Sequence, residues 1–288
     1  MSTDDNRPKT AIEHFDKAAA DYENHTGGCT RELAQFMLDK LPELADAGAP
    51  GTIILDNACG TGVVAEEIIQ RHPDGTGTIY AVDAAPNMVD IARRKLNRLN
   101  EGRNFNITSH TMPSERLEFE DDTFTHSITN FGILFYRDSL AGAKEIHRTL
   151  RTGGVAIVTS WTDLGYLEPV VQASQLEIRP NEKPYQLPLA PEWLLATHLQ
   201  SVLLQGGFTN VEVSAVKVHY GAENIEGVVE LLAHSFQAVC KDWPEDERIR
   251  FRALMTEKTA QVAEEYSMPN GKVGIGIPMM ASVAVCRK

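Results

Sequence analysis

The residues best placed to do chemistry fall in one short run. Asp56, Asn57, Ala58, Cys59, Gly60, Thr61 and Gly62 follow the apolar stretch 53–55, and a second apolar stretch, 78–82, ends on Asp83. A strand closing on an acid, a glycine turn opening a helix, and a carboxylate at the end of the next strand together build a nucleotide pocket. Glycines let backbone approach a ligand, helix amides face it, and the later carboxylate accepts from two ribose hydroxyls. Taken alone, Gly60-Thr61-Gly62-Val63-Val64-Ala65 fits the loose dinucleotide fingerprint G-x-G-x-x-A, so an NAD site stands beside any other nucleotide site at this point. Cys59 reads as a small packing residue in the turn, not as a nucleophile.

These groups need a scaffold, and the apolar periodicity supplies one. It predicts a helix near 31–41, strand 52–57 with helix 61–71, strand 78–83 with helix 86–99, and a weaker strand near 104–110. Strand 124–130 leads to helix 138–150, and Gly153-Gly154 turn the chain into strand 155–160. Alternating β and α elements of this length imply an α/β fold with a doubly wound, mostly parallel sheet. Beyond Trp161 the rhythm breaks. A helix is expected at 191–204 and a strand at 209–220, whose apolar phase flips between Val213 and Val216. That flip implies either a bulge or burial on both faces. An amphipathic helix over 225–239, a charged helix over 244–266 and a last strand over 277–285 follow, with Pro278 restricting where pairing begins. The expected organisation is a helical cap (1–45), a core (46–161), a lid insertion (162–205), a core strand (206–221), a helical lid (222–270) and a final strand (271–288).

Composition narrows the classes. The 288 residues carry a formal net charge of −13, which repels phosphate backbones and argues against a nucleic-acid partner. No apolar run is long enough to span a membrane, and Met1 to Thr10 lack a signal-peptide core. The four cysteines are scattered, which suggests reduced thiols and a cytoplasmic protein.

The order of motifs resembles class I S-adenosylmethionine-dependent methyltransferases. Asp56 to Gly62 and Ala81-Val82-Asp83 are similar to that family's first two motifs. The run Glu115 to Phe124 resembles its loop before the fourth strand, and Leu150 to Gly154 its turn before the fifth. Phe15 to Tyr22 resembles the N-terminal cap of the ubiquinone-biosynthesis branch. Phe124-Thr125-His126 and Val158-Thr159-Ser160-Trp161 look like tracts of fungal small-molecule enzymes.

The resemblance implies strand order 3-2-1-4-5-7-6 and S-adenosyl-L-methionine as cofactor. It implies contacts from Tyr22, Asp56, Asn57, Ala58, Gly60, Gly62, Asp83, Ala84, Met88, Asn130 and Phe131. Asp56 would orient the turn and serve the ammonium, and Met88 would pack on adenine or ribose. Two positions depart from the pattern. Ala58 stands where a glycine is usual, and Pro113 where an aspartate usually reads adenine, so Met112, Pro113 and Ser114 are expected to substitute.

Methyl transfer needs positioning and a dry site, with a base only for a protonated acceptor. Thr129-Asn130-Phe131-Gly132 lacks the tetrad of nucleobase enzymes and the carboxylates that a hard cation prefers, so no metal is expected. A small-molecule acceptor remains, with Phe131, Trp161 and His234 as candidate contacts, and with His25 and His234 as candidate bases. An NAD-dependent oxidoreductase and a non-catalytic regulator on the same fold are the alternatives.

Overall fold

The computed structural model describes residues 10–288. The expectations about the first nine residues lie outside that range. The N-terminal region forms α1 (Ala11–Ala18), α2 (Tyr22–His25) and α3 (Cys29–Lys40). Then β1 (Ile53–Asn57), α4 (Val63–Arg71), β2 (Thr78–Asp83), α5 (Pro86–Leu99), β3 (Asn106–Thr111), β4 (Phe124–Thr129), α6 (Ser139–Thr149) and β5 (Leu150–Asp163) alternate. A π-helical turn over Leu167–Gln172, α7 (Ala173–Ile178), α8 (Ala196–Gln205) and β6 (Asn210–Ala222) follow. The chain ends with α9 (Ile225–Ser235), α10 (Gln237–Cys240), α11 (Glu245–Val262), β7 (Glu264–Ser267) and β8 (Val273–Arg287).

The sheet order is β3-β2-β1-β4-β5-β8-β6, with β7 attached to β8. Strands β1 to β5 run parallel, and β8 is antiparallel to both β5 and β6. This is the expected topology with one extra strand, so the final strand is the eighth. Fully buried Leu33 and Met37 from α3, Ile68 from α4 and Leu96 from α5 pack with Ile54, Ile79, Phe124 and Ile157 of the strands. A strand buried on both faces by crossover helices reads as a near-continuous apolar run.

Several elements differ from expectation for identifiable reasons. Gly153 and Gly154 do not precede β5 but lie inside it. Pairing with β4 jumps from Phe124↔Leu150 to His126↔Val155, so the intervening residues bulge out. The phase flip of β6 needs no bulge, since its register with β8 is unbroken from Asn210 to Ala222. Val211 is buried on one face, and Val216, Val218 and Tyr220 on the other, as the strand passes from under α8 to under α3 and α9. Pro278 does not delay pairing. It sits where the second edge of β8 changes partner, from β7 up to Gly276 to β5 from Met280. The helix expected over 225–239 breaks at Phe236. The charged helix stops at Val262, and the residues after it form β7 in a stretch expected to be helical.

The N-terminal cap is fastened to the free edge of β6. The Gly221 amide donates to the Gly27 carbonyl at 3.0 Å, and the Tyr220 hydroxyl to the His25 carbonyl at 3.0 Å. The His219 amide donates to Glu32 at 2.7 Å.

Candidate functional site

The glycine turn after β1 is built on positive backbone angles. Ala58, Gly60 and Gly62 have φ of 53°, 54° and 80°. Ala58 therefore holds a left-handed conformation that an L-residue adopts only at a cost. Its methyl is accommodated because Gly132 has none. A Cβ on Gly132 would lie 2.5 Å from the Ala58 Cβ. Gly62 serves packing: a Cβ there would come within 3.2 Å of Ala92 and 3.3 Å of Leu96 on α5. Beneath the turn, buried Asp56 accepts from the Ala65 amide at 3.0 Å and so caps α4, whose own N-cap residue Gly62 offers no side chain. Burial pushes its carboxyl up to about 7.

Asp83 ends β2 beside this turn. One carboxylate oxygen accepts from the Gly60 amide at 2.9 Å and the other from the Ala85 amide at 2.8 Å. Burial raises its carboxyl above the usual range, and the two amides oppose that. Each oxygen keeps lone-pair capacity for a ligand hydroxyl. Asn57 is the hub of a buried network. It donates to Thr129 at 3.3 Å and to the Tyr136 hydroxyl at 3.2 Å, and accepts from Ser114 at 2.9 Å.

Behind the turn lies a charge cluster. Arg31 bridges Glu23, Glu66 and Glu67, and Lys95 bridges Glu23 and Glu66. Burial alone would raise the Glu23 carboxyl, but Lys95, together with hydrogen bonds from Thr61 and Arg31, draws it down to about 2. The cluster ties α2 and α3 to α4 and α5, and so holds the cap over the turn.

A cleft of about 750 Å³, counted to its solvent mouth, opens at the C-terminal ends of β1, β2 and β4. There β1 has β2 on one side and β4 on the other, the switch point at which open α/β sheets bind ligands. Its lining includes Tyr22, Ala58, Gly60, Asp83, Ala84, Met88, Ser114, Asn130 and Phe131. No group of three or more His, Cys, Asp or Glu side chains that could hold a metal ion occurs among the described residues.

Residues 54–154 match the methyltransferase domain family. Over that stretch the chain is similar to methyltransferase domains. The bifunctional biotin biosynthesis protein BioHC of Teredinibacter turnerae is 30% identical over 168 residues, which are 57% of this chain and 27% of that protein. The ubiquinone/menaquinone biosynthesis C-methyltransferase UbiE of Geobacter sp. strain M21 is 34% identical over 136 residues, 47% of this chain and 54% of that one. Methyltransferase ktnA of Aspergillus niger is 22% identical over 273 residues, 84% of this chain and 85% of that one. The matched stretch thus spans about a quarter and about half of the first two relatives.

Against this methyltransferase-like core, the residues named from sequence divide into two groups. The cleft takes nine of the named positions. Asp56, Asn57, Gly62, Met112 and Pro113 stand outside its lining and build the floor and walls beneath it. Asn130 is itself fastened, donating to the Thr30 carbonyl at 2.9 Å and accepting from Thr159 at 3.1 Å. Trp161 lies behind Phe131, the rings stacked at 3.8 Å. His25 and His234 stack on each other at 3.9 Å, and neither lines the cleft.

Sequence reasoning passed over Glu115, Gly132, Phe135, Tyr136 and Arg137, which also line it, together with Ile12 and Phe15 of α1. Phe15 meets Phe135 edge-on at 4.9 Å, so α1 reaches across the mouth. Asp16 of α1 accepts from the Asn87 amide at 2.7 Å and caps α5. For Glu115 a signal existed: it lies two residues past Pro113, where the family's acid was sought.

Proposed function

We propose that this protein is a methyltransferase that transfers a methyl group from S-adenosyl-L-methionine to an oxygen, nitrogen or sulfur atom of a small organic acceptor, without a metal ion. The observation that carries the reading is the Asp83 carboxylate, opening onto the switch-point cleft beside the Ala58–Gly62 turn.

The residues present fit that cofactor. Asp83 would accept from the ribose hydroxyls, and the Gly60 backbone leaves room for close approach. Met88 and Tyr22 offer apolar faces for the adenosine and for closure over it. Glu115 would take the part of the missing acid at position 113. One of its oxygens already accepts from the Arg137 amide at 2.8 Å, and the other can accept from the adenine amino group. When bound, the cofactor supplies a methyl on a sulfonium, which an acceptor lone pair displaces in line while the bond's electron pair stays on sulfur. The chain contributes position and dryness: Phe131 and Tyr22 wall the cleft, and Asn130 holds the start of α3 against the end of β4.

The reading extends to an acceptor drawn from fungal secondary metabolism, supported by the near end-to-end match to the Aspergillus niger methyltransferase. The acidic net charge of −13 supports an acceptor other than nucleic acid. The four unpaired cysteines support a reducing, cytoplasmic setting. No helix among the described residues is long and apolar enough to cross a membrane.

Titration calorimetry with S-adenosylmethionine, S-adenosylhomocysteine and NAD tests the proposal. Binding of the two sulfur compounds and not of NAD is expected. Binding of NAD alone would overturn it.

A further inference from the structure

Asn57 is fully buried at the end of β1 and is not part of the cleft lining, yet its amide grips two loops that are. Its Oδ1 accepts from the Ser114 hydroxyl at 2.9 Å, and its Nδ2 donates to the Tyr136 hydroxyl at 3.2 Å. Ser114 stands on the loop after β3, Tyr136 on the loop after β4, and both line the cleft. The other Nδ2 hydrogen goes to Thr129, the last residue of β4, at 3.3 Å. Both donors of the amide are therefore used, and its oxygen is engaged as well. A buried polar group satisfied in this way is held in one orientation, and its partners are held with it.

The residues one place further along meet each other. Glu115 follows Ser114, Arg137 follows Tyr136, and the Arg137 amide donates to Glu115 at 2.8 Å. The two loops are thus joined twice, beneath the cleft through Asn57 and at its rim through Glu115. Glu115 lines the cleft, and its second carboxylate oxygen has no donor among the described residues.

The frame around this double tie is fixed. The Met112 amide donates to the Asp83 carbonyl at 3.0 Å and the Leu117 amide to Glu145 at 2.7 Å, so the first loop is pinned on either side of Ser114. On the second loop, the Tyr136 ring fits against α6 only because residue 142 is glycine. A Cβ there would fall 2.4 Å from the ring. Burial raises the Tyr136 hydroxyl above its usual range, which keeps it a neutral partner for Asn57. Ser114 spends its one hydrogen on Asn57 and keeps none for a base in the cleft. Reading an amino group there falls to Glu115.

We propose that Asn57 is a positioning residue: by holding the Ser114 and Tyr136 loops together it aims Glu115, and so makes the cleft prefer a 6-aminopurine cofactor over the same purine without its amino group. The inference rests on the methyltransferase reading, with Glu115 as the partner of adenine, and deepens it. A hydrogen bond to a carboxylate is strong only in good geometry, so its strength depends on what holds the carboxylate. Ordering the supporting side chains before the ligand arrives is what gives such a site its selectivity.

The test is calorimetry on the full chain with two ligands, S-adenosylhomocysteine and its analogue carrying purine in place of adenine. The wild type should bind the amino compound about fivefold more tightly. E115A should bind the two equally and so marks the floor. N57A should lose most of the preference. S114A and Y136F each cut one tie to Asn57 and should each lower the preference part-way, which keeps the test open if N57A does not fold. T129V removes a partner that lies on neither loop and should leave the preference as it was. A preference retained in N57A, even with both ligands weakened together, would show a merely structural role and overturn the proposal. So would a preference retained in both S114A and Y136F, or one lost in T129V as fully as in N57A. Equal binding of the two ligands by the wild type would overturn it together with the role of Glu115. Failure of S-adenosylhomocysteine itself to bind would instead sink the underlying cofactor reading.

Discussion

The pairing of Ala58 with Gly132 makes a quantitative prediction about the turn. Ala58 sits at φ 53°, a region that costs an L-residue about 1–2 kcal/mol. Replacing it with glycine relieves that strain but returns about 0.4–1 kcal/mol through the freer unfolded chain. A58G should therefore lie between neutral and about 1.6 kcal/mol more stable. Gly132 has φ −92° and ψ −47°, ordinary angles for any residue, so only space opposes a side chain there. In G132A the new Cβ would meet Ala58 at 2.5 Å and Thr129 at 3.1 Å, an overpacking that costs about 1–3 kcal/mol. Removing the Ala58 methyl clears the nearer obstacle. The double variant A58G/G132A should recover most of the loss, with a coupling of about 1–2 kcal/mol. Urea denaturation of the four proteins, followed by tryptophan fluorescence, closes the cycle. Strict additivity, or an A58G that is destabilised by more than about 1 kcal/mol, would show that the turn is not strained as argued.

Other outcomes follow from the same geometry. D83N should weaken S-adenosylmethionine by about tenfold or more in calorimetry, since a charge-assisted acceptor becomes a neutral one; unchanged affinity would remove Asp83 from the ribose. E115A should weaken the cofactor by about fivefold, and E115Q less; an unaffected E115A would leave the adenine without its proposed acid. His219 faces Glu32 at 2.8 Å and Glu264 at 2.9 Å, with Lys217 also on Glu264 and Tyr266 stacked on the ring. Burial lowers this histidine, but the two carboxylates outweigh it and raise it above its usual value. Its stabilisation is therefore full below the ordinary histidine value and lost as pH rises through the raised one. The stability gap between wild type and H219Q should shrink as pH rises from 6 to about 9 in denaturant titrations; a constant gap would refute the ion pairs. Glu23, depressed to about 2, stabilises above the ordinary carboxylate range and loses that as pH falls toward 2. E23Q should thus cost most near neutrality and least in acid, and a pH-independent cost would argue against the Lys95 pairing.

The parallel half of the sheet was legible because buried strands announce themselves as unbroken apolar runs between amphipathic helices. Ile53 to Leu55 and Tyr80 to Val82 needed no long-range information. The strand β7 was not legible. Glu-Glu-Tyr-Ser contains one buried side chain, Tyr266, and is extended only because β8 offers it an edge. In β6 the phase flip was visible but its cause was not, since nothing local says which layer covers which end of a strand. The site divided in the same way. Motif order located the turn, but Asp56 and Gly62 point into packing while Glu115 points into the cleft, and that distinction depends on strand twist and loop path.

The edge strand β6 would ordinarily offer its amides and carbonyls to any passing chain. Here the Gly221 amide, donating to Gly27, and the His219 amide, donating to Glu32, occupy part of that edge with the N-terminal cap. The cap that roofs the cleft is therefore also a guard against self-pairing. A protein trimmed of α1 to α3 would lose not only a wall of its site but also part of its protection from edge-to-edge aggregation.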